Sequence, residues 1–205
     1  MVRASYAAAD VIMEYGSGGS TVYAASLRGK RVFSVETDRD WTLRMQSRID
    51  RDGAALVSVV HADIGPTGKW GRPTDPAAWP RFLSYVLGIW DAPYMRHPDV
   101  VLIDGRFRAA CMLATLARIQ RPIRILFDDY ADRKPYHVVE EYALPVKMAG
   151  RMAVFDVVPE LIPAGDLAPV FTALGQVTYA DQPAHYDMDA NEAIARRIED
   201  MDGKR

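Results

Sequence analysis

Cysteine is almost missing from this chain: Cys111 is the single one in 205 residues. It cannot form a disulfide within the chain, so nothing in the sequence requires an oxidising compartment. Long apolar runs are missing too. No stretch of about 18 uninterrupted apolar residues occurs, which excludes an ordinary membrane-spanning helix. The N-terminus lacks the basic, apolar, small-residue order of a signal peptide, and a cytoplasmic location is the expectation. Charge of one sign is also scarce, with a formal net charge of -2. A nucleic-acid or anionic-membrane surface is usually strongly basic, so neither is expected as the main partner. Histidine is sparse, and His61, His97 and His137 show no metal-ligand spacing.

What remains is globular: 49% hydrophobic and 25% charged residues in a length that can bury a sizeable core. A single domain over 1–205 is expected, with its core at 9–180 and a charged helical tail at 186–205. A small-molecule substrate is the expected partner, and homo-oligomerisation stays open.

The chain is organised around VIMEYGSGGST, residues 11–21. A short apolar run ends in Glu14, a loop with glycine at 16, 18 and 19 follows, and a helical pattern begins. Strand, tight turn and helix in that order make a place where backbone can approach a polar cofactor. The helix at 21–27 ends in Arg28, Gly29, Lys30 and Arg31, basic residues and a glycine stop. A second strand covers 31–35. Asp38 or Asp40 caps a helix running to Ile49, with Trp41, Met45 and Ile49 spaced for one buried face. A third strand, 55–60, leads into a glycine- and proline-rich loop in which Lys69, Trp70 and Arg72 are candidates for a lid, an exposed loop tip being the alternative. Asp75 and Pro76 start a helix with Trp79, Phe82, Leu83, Val86 and Leu87 as its stripe. Strands at 100–103 and 123–127 flank a helix at 107–119 that buries Cys111. A helix at 136–147, a strand at 152–158 and a seventh strand at 176–179 complete the pattern. The fold class is α/β, a Rossmann-like, doubly wound and mostly parallel seven-stranded sheet with helices on both faces.

Ligands of such sheets sit beyond the carboxyl ends of the strands, where strand order reverses. Predicted strands one to five end in Glu14, Glu36, Asp63, Asp104 and the pair Asp128 and Asp129. Helix capping alone does not account for acids at every one of those ends. Glu36 lies about twenty residues past the first glycine, where an acid can accept from both ribose hydroxyls. NAD would satisfy that spacing as well. Against NAD stand Thr21, where the dinucleotide fingerprint has glycine or alanine, and Glu14, whose charge would repel pyrophosphate.

The order of these motifs resembles the class I S-adenosylmethionine-dependent methyltransferases over about residues 9–158. The resemblance implies that Glu14, Gly16, Ser17, Gly18 and Ser20 hold the methionine part of S-adenosylmethionine. It implies Glu36, with Thr37 beside it, for the ribose, Asp63 for the adenine amino group, and Asp104 at the cofactor's edge. A narrower likeness links LIDG and FDDY to the metal-dependent O-methyltransferases, including the macrocin type. It implies that Asp104, Asp128 and Asp129 bind magnesium, which would acidify and orient an acceptor hydroxyl. Where that type carries an acidic base, this chain has Arg106, followed by Arg108. Arginine is protonated at any working pH, so it binds an acidic substrate, pairs with an aspartate or replaces the metal's charge. Asp104, Arg106 and Asp128 are the candidate catalytic residues, and Tyr130 is a candidate pocket wall. The implied activity is methyl transfer to a small, anionic acceptor. Its rivals are a cofactor-binding module without catalysis and an NAD-dependent oxidoreductase.

Overall fold

A computed structural model of the chain describes residues 1–180. The expected tail at 186–205 lies outside them. Helix α1 (Val2–Ala8) precedes β1 (Val11–Tyr15), α2 (Gly19–Ala25), β2 (Arg31–Glu36), α3 (Arg39–Asp52) and β3 (Leu56–His61). Next come α4 (Phe82–Leu87), β4 (Val100–Ile103), α5 (Arg108–Arg118), β5 (Ile123–Phe127), β6 (Lys147–Ala149), β7 (Met152–Val157) and α6 (Leu167–Leu174).

The strands form one seven-stranded sheet in the order β3-β2-β1-β4-β5-β7-β6. The first five are mutually parallel, and β7 runs antiparallel to both β5 and β6. Order reverses between β1 and β4, so the loops after those two strands meet at the switch point where α/β sheets bind ligands.

Residue alternation explains the layers. On one face Met13, Tyr15, Val101 and Ile103 pack with Phe82 and Val86 of α4 and with Met112 and Leu113 of α5. On the other, Ile12, Val32, Val100 and Leu102 pack with Tyr6 of α1 and Ala24 of α2. Beside them Met45 and Ile49 of α3 bury against Ala25 and Val59. Every residue of β4 is buried, as a parallel strand covered on both faces requires. Burial of one such valine, leucine or isoleucine contributes about 1.5–3 kcal/mol, and this central sheet is the rigid base of the strand-end loops.

Four expectations need correction. The segment expected as a helix at 136–147 is a 3-10 helix, Lys134–Glu141, followed by a strand that starts at Lys147. Pro145 lacks the N–H a helix needs there. The seventh strand is therefore β6, hairpinned to β7 through Gly150 at φ +64, while 176–179 form no strand. Before α4, Pro76–Arg81 is also 3-10, so its side chains follow a tighter period and Trp79 is exposed; within α4, Leu83 is exposed while Phe82 and Val86 are buried. Trp41 is 39% exposed and does not share the core face of Met45 and Ile49.

Candidate functional site

The chain leaves β1 through Gly16 at φ +97, and a Cβ there would lie 2.8 Å from Gly105 Cα. Only glycine meets both conditions, so the loops after β1 and β4 touch backbone to backbone. Gly16 N–H donates to Val35 O at 2.8 Å, tying the turn to β2 as well. Gly18 then caps α2, its N–H donating to Thr21 Oγ1 at 2.9 Å.

Beneath this loop runs a chain of hydrogen bonds. Thr21 Oγ1 donates to Glu14 Oε2 at 2.6 Å, and Tyr6 OH donates to Glu14 Oε1 at 2.7 Å. Glu14 is fully buried, on the sheet face covered by α1 and α2. Glu14, expected to hold the cofactor, has no exposed surface, and each of its oxygens accepts from a hydroxyl that fixes the loop from below. Burial raises the Glu14 pKa, with the Thr21, Tyr6 and Ser20 hydroxyls pulling the other way. Ser20 thus belongs to this support.

Glu36 ends β2 and faces the glycine loop. Its Oε2 accepts from Ser17 N–H at 3.1 Å and Ser17 Oγ at 2.9 Å, and its Oε1 accepts from Thr37 N–H at 2.7 Å. Oε1 also meets Thr37 Oγ1 at 3.4 Å and Asp38 N–H at 3.5 Å, long contacts that a better-placed donor can displace. Trp41, missed as a site residue, sits on the first turn of α3 because Asp38 caps that helix through Trp41 N–H at 2.8 Å. Its indole N–H reaches Ser17 Oγ at 3.0 Å and Ser17 O at 3.2 Å. A helix-cap register followed by an aromatic residue is the signal that could have found it.

Thr37 is buried and donates to Gly71 O at 2.8 Å. It anchors the glycine- and proline-rich loop rather than facing open space. That loop is closed by a bridge between Thr67 and Pro73 and carries Trp70, 72% exposed at φ +63. Its Gly71 carbonyl lies against Thr37 just past the end of β2, and Trp70 is an exposed loop tip, the alternative to a lid. Asp63 follows β3 in an exposed turn, accepting from Gly65 N–H at 2.9 Å and pairing with Arg81 at 3.2 Å. The Gly65 bond, more than Arg81, lowers its pKa.

Across the switch point the structure brings Asp104, Asp128 and Asp129 together, with ligand oxygens within 4.8 Å of one another. Each is already bound to arginine. Arg108 pairs with Asp104 and with Asp129 at 3.1 Å each, and Arg133 with Asp129 at 2.8 Å. Arg151, from the β6–β7 turn, clasps Asp128 at 2.7 and 3.1 Å and reaches Asp129 at 3.0 Å. Arg108 also donates to the backbone oxygens of Gly105, Asp104 and Asp128. Guanidinium groups occupy the ligand oxygens a divalent cation would need, so these residues do not fit magnesium and no step is routed through a metal. Of the three roles the sequence left open for Arg106, pairing with an aspartate falls instead to Arg108, Arg133 and Arg151. Arg151 lies 23 residues beyond Asp128, in neither motif, and the β6–β7 hairpin brings it in.

Lost hydration raises the Asp104 pKa to about 6, with Arg108 opposing and Asp128 and Asp129 adding to the rise. For Asp128, burial would raise the pKa, but hydrogen bonds and charge from Arg151 hold it below the usual range. Tyr130 is no pocket wall: it is buried, stacks on His137 and donates to Glu140 at 2.8 Å. His97 accepts from Gln120 N–H at 2.8 Å, and Cys111 is buried as expected.

Beside Gly105 opens a cavity of about 190 Å³ with Arg72, Arg106, Phe107, Arg133, Tyr136 and Val177 in its wall. Three non-glycine residues with positive φ, Trp70, Phe107 and Asp129, surround the strand-end loops. Strain of that kind is held only where packing over-determines it. No helix among the described residues is long and apolar enough to cross a membrane.

No family model matches the sequence, and no curated protein does. Among solved structures, a methyltransferase-like protein from Silicibacter pomeroyi is 48% identical, with 84% of this chain and 91% of that one covered and a TM-score of 0.81. The N-methyltransferase NodS from Bradyrhizobium japonicum is 11% identical, with 78% and 91% covered and a TM-score of 0.48. An RNA methyltransferase from Salinibacter ruber, in complex with S-adenosyl-L-homocysteine, is 17% identical, with 76% and 84% covered and a TM-score of 0.42. With 48% identity to the Silicibacter pomeroyi protein over 84% of its length, the chain belongs to the methyltransferase-like proteins of the class I S-adenosylmethionine-dependent methyltransferase family.

Proposed function

We propose that the protein binds S-adenosylmethionine in the cleft between the glycine loop and Glu36, and transfers its methyl group to a small acceptor that enters beside Gly105. The observation that carries this reading is the join between Glu36 and Ser17 across the ends of β2 and β1. It sets an acceptor-only carboxylate next to a loop whose backbone a ligand can approach, the pairing a ribose beside an amino-acid tail needs. Thr21 speaks against a dinucleotide: it is fully buried and bridges Glu14 to Gly18, where close helix packing in the dinucleotide motif uses glycine.

Bound there, the cofactor supplies a methyl group on a sulfonium leaving group, and displacement at that carbon needs alignment more than an activated nucleophile. The residues of this chain hold and orient. Glu14 and Thr21 set the loop from beneath, Gly16 lets it approach β4, and Asp63 lies open at the end of β3 for the adenine side. Arg108 and Arg151 keep the acids of β4 and β5 in place. A second reading, cofactor binding without catalysis, is favoured by that same network, because Asp104, Asp128 and Asp129 are all engaged by arginine.

Calorimetry with S-adenosylmethionine, S-adenosylhomocysteine and NAD tests the proposal. Both sulfur ligands should bind, at least tenfold more weakly in Glu36→Ala. Clear binding of NAD with neither sulfur ligand bound overturns it. Methyl release into a panel of hydroxyl, amine and carboxylate acceptors separates the enzyme from the binding module.

A further inference from the structure

The arginines after β4 are not equivalent. Arg108 and Arg133 have aspartate partners, and Arg151, across the hairpin, has two. Arg106 has none: among the described residues its guanidinium makes no hydrogen bond and no ion pair, although it lines the cavity beside Gly105. A partly buried cation without a counter-charge is costly, and such groups are ordinarily paired. Burial lowers the Arg106 pKa, and the charges of Arg108 and Arg72 lower it further, so the group sits in a positive field.

The backbone that carries Arg106 is fixed. Its N–H donates to Tyr85 OH at 3.3 Å and its carbonyl accepts from Cys111 Sγ at 3.4 Å. On one side Arg108 ties down the carbonyls of Asp104 and Gly105. On the other, Phe107 is held at φ +50 by its packing on Phe82, ring centres 5.1 Å apart. A side chain on so constrained a turn is aimed by its surroundings and has little backbone freedom to seek a partner elsewhere. Gly105 belongs both to the cavity wall and to the contact with Gly16, so the cavity adjoins the glycine loop. Phe107 and Tyr136 give its wall aromatic surface, and about 190 Å³ suits a ring-sized molecule.

We propose that this cavity is the acceptor subsite and that Arg106 grips an acid group, carboxylate or phosphate monoester, on a small ring-containing acceptor. The inference rests on the methyl-transfer reading for the word acceptor; the anion site itself stands on the cavity and Arg106. Arginine suits the role because its planar fork meets both oxygens of such a group at once.

The test titrates 4-hydroxybenzoate, phenyl phosphate and 4-hydroxybenzamide into the full chain, with and without saturating S-adenosylhomocysteine. At least one acid should bind tenfold or more tightly than the neutral amide, and the tighter of the two tells carboxylate from phosphate. Arg106→Gln should weaken that acid at least tenfold, and Arg106→Lys should recover part of the loss. The thermal midpoint of each variant, and its S-adenosylhomocysteine affinity, should match the wild type and exclude misfolding as the cause. Equal binding of acid and amide, acid binding indifferent to Arg106→Gln, or no acid binding at millimolar concentration overturns the proposal. Arg106-dependent acid binding in a chain that ignores S-adenosylhomocysteine would sink the methyl-transfer reading and keep the anion site.

Discussion

Gly16 and Gly105 press against each other across the switch point: a Cβ on Gly16 would lie 2.8 Å from Gly105 Cα and 2.9 Å from its nitrogen. Both neighbours are backbone and cannot swing aside. Gly16→Ala adds the cost of a side chain at φ +97 to that overlap. The sum should exceed about 2 kcal/mol, by the usual cost of strained backbone and crowded packing. Urea unfolding should show the loss, and calorimetry should show S-adenosylhomocysteine binding weakened with it. A variant as stable as the wild type would mean that the two loops separate freely.

Glu14 yields a prediction with a definite sign. Its pKa is raised in the folded protein, chiefly by burial, so its ionised form costs folding energy. A carboxyl raised on folding contributes stability at pH below its unfolded value, about 4.3, and that contribution is lost as pH rises through the folded value. Glutamine has no such titration. Glu14→Gln should therefore compare worst with the wild type at low pH and progressively better as pH rises toward 8. Denaturant unfolding at several pH values checks this, and a flat difference would refute it.

These two residues also show what could be read from one dimension. The glycine loop, the acids at the strand ends and the strand–helix rhythm were legible because each is a local pattern with a period or a terminus. Side-chain direction at the last residue of a strand was not. Glu14 turns to the α1 and α2 face with Ile12, a consequence of strand alternation that the motif alone conceals. Nor does sequence tell which arginine meets which aspartate. Arg151 reaches Asp128 only because the short strand Lys147–Ala149 forms a hairpin, and three residues after a proline carry too little pattern to announce one. Trp41 misled for a related reason: periodicity put it with Met45, whereas the cap at Asp38 sets it over Ser17.

Trp41 can be tested by its indole bond to Ser17. Trp41→Phe keeps most of the ring but loses the N–H, at a cost to stability of about 0.5–1.5 kcal/mol or less, since the site is partly exposed. The larger effect should fall on the ligand, with several-fold weaker S-adenosylhomocysteine binding because Ser17 is less constrained. Fluorescence titration of both proteins adds a direct readout: the wild type should change on ligand binding, and the variant should lose much of that change. Identical titrations would assign Trp41 to the surface alone.

Arg151 should matter more at neutral than at acid pH. Asp128 is buried and its pKa is depressed, burial notwithstanding, by Arg151. A depressed carboxyl stabilises above its unfolded pKa, about 3.9, and that stability is lost as pH falls through the folded value. Arg151→Gln leaves Asp128 charged with less compensation, which should cost about 1–3 kcal/mol at pH 7 after allowance for the exposed arginine. The deficit should persist down to about pH 4 and shrink as pH falls from there through the folded value. Thermal unfolding across that range measures it, and a deficit that grows on acidification would reverse the assignment.

The metal question turns on Arg108. Its guanidinium lies between Asp104 and Asp129 at 3.1 Å from each, while Arg151 covers Asp128. A divalent cation must shed water and displace these bonds to gain the same oxygens, so the acid cluster alone does not make a site. Magnesium or manganese should leave the thermal midpoint of the wild type unchanged, with S-adenosylhomocysteine present or absent. Arg108→Ala should be clearly destabilised, since Arg108 is buried and bonds three carbonyls besides its two acids. If the arginine stands where a cation would, manganese should restore part of that lost stability, because ligand binding to the folded state alone raises its midpoint. Adding Asp129→Asn should remove the rescue. Stabilisation of the wild type by either metal would show that arginine has not displaced it.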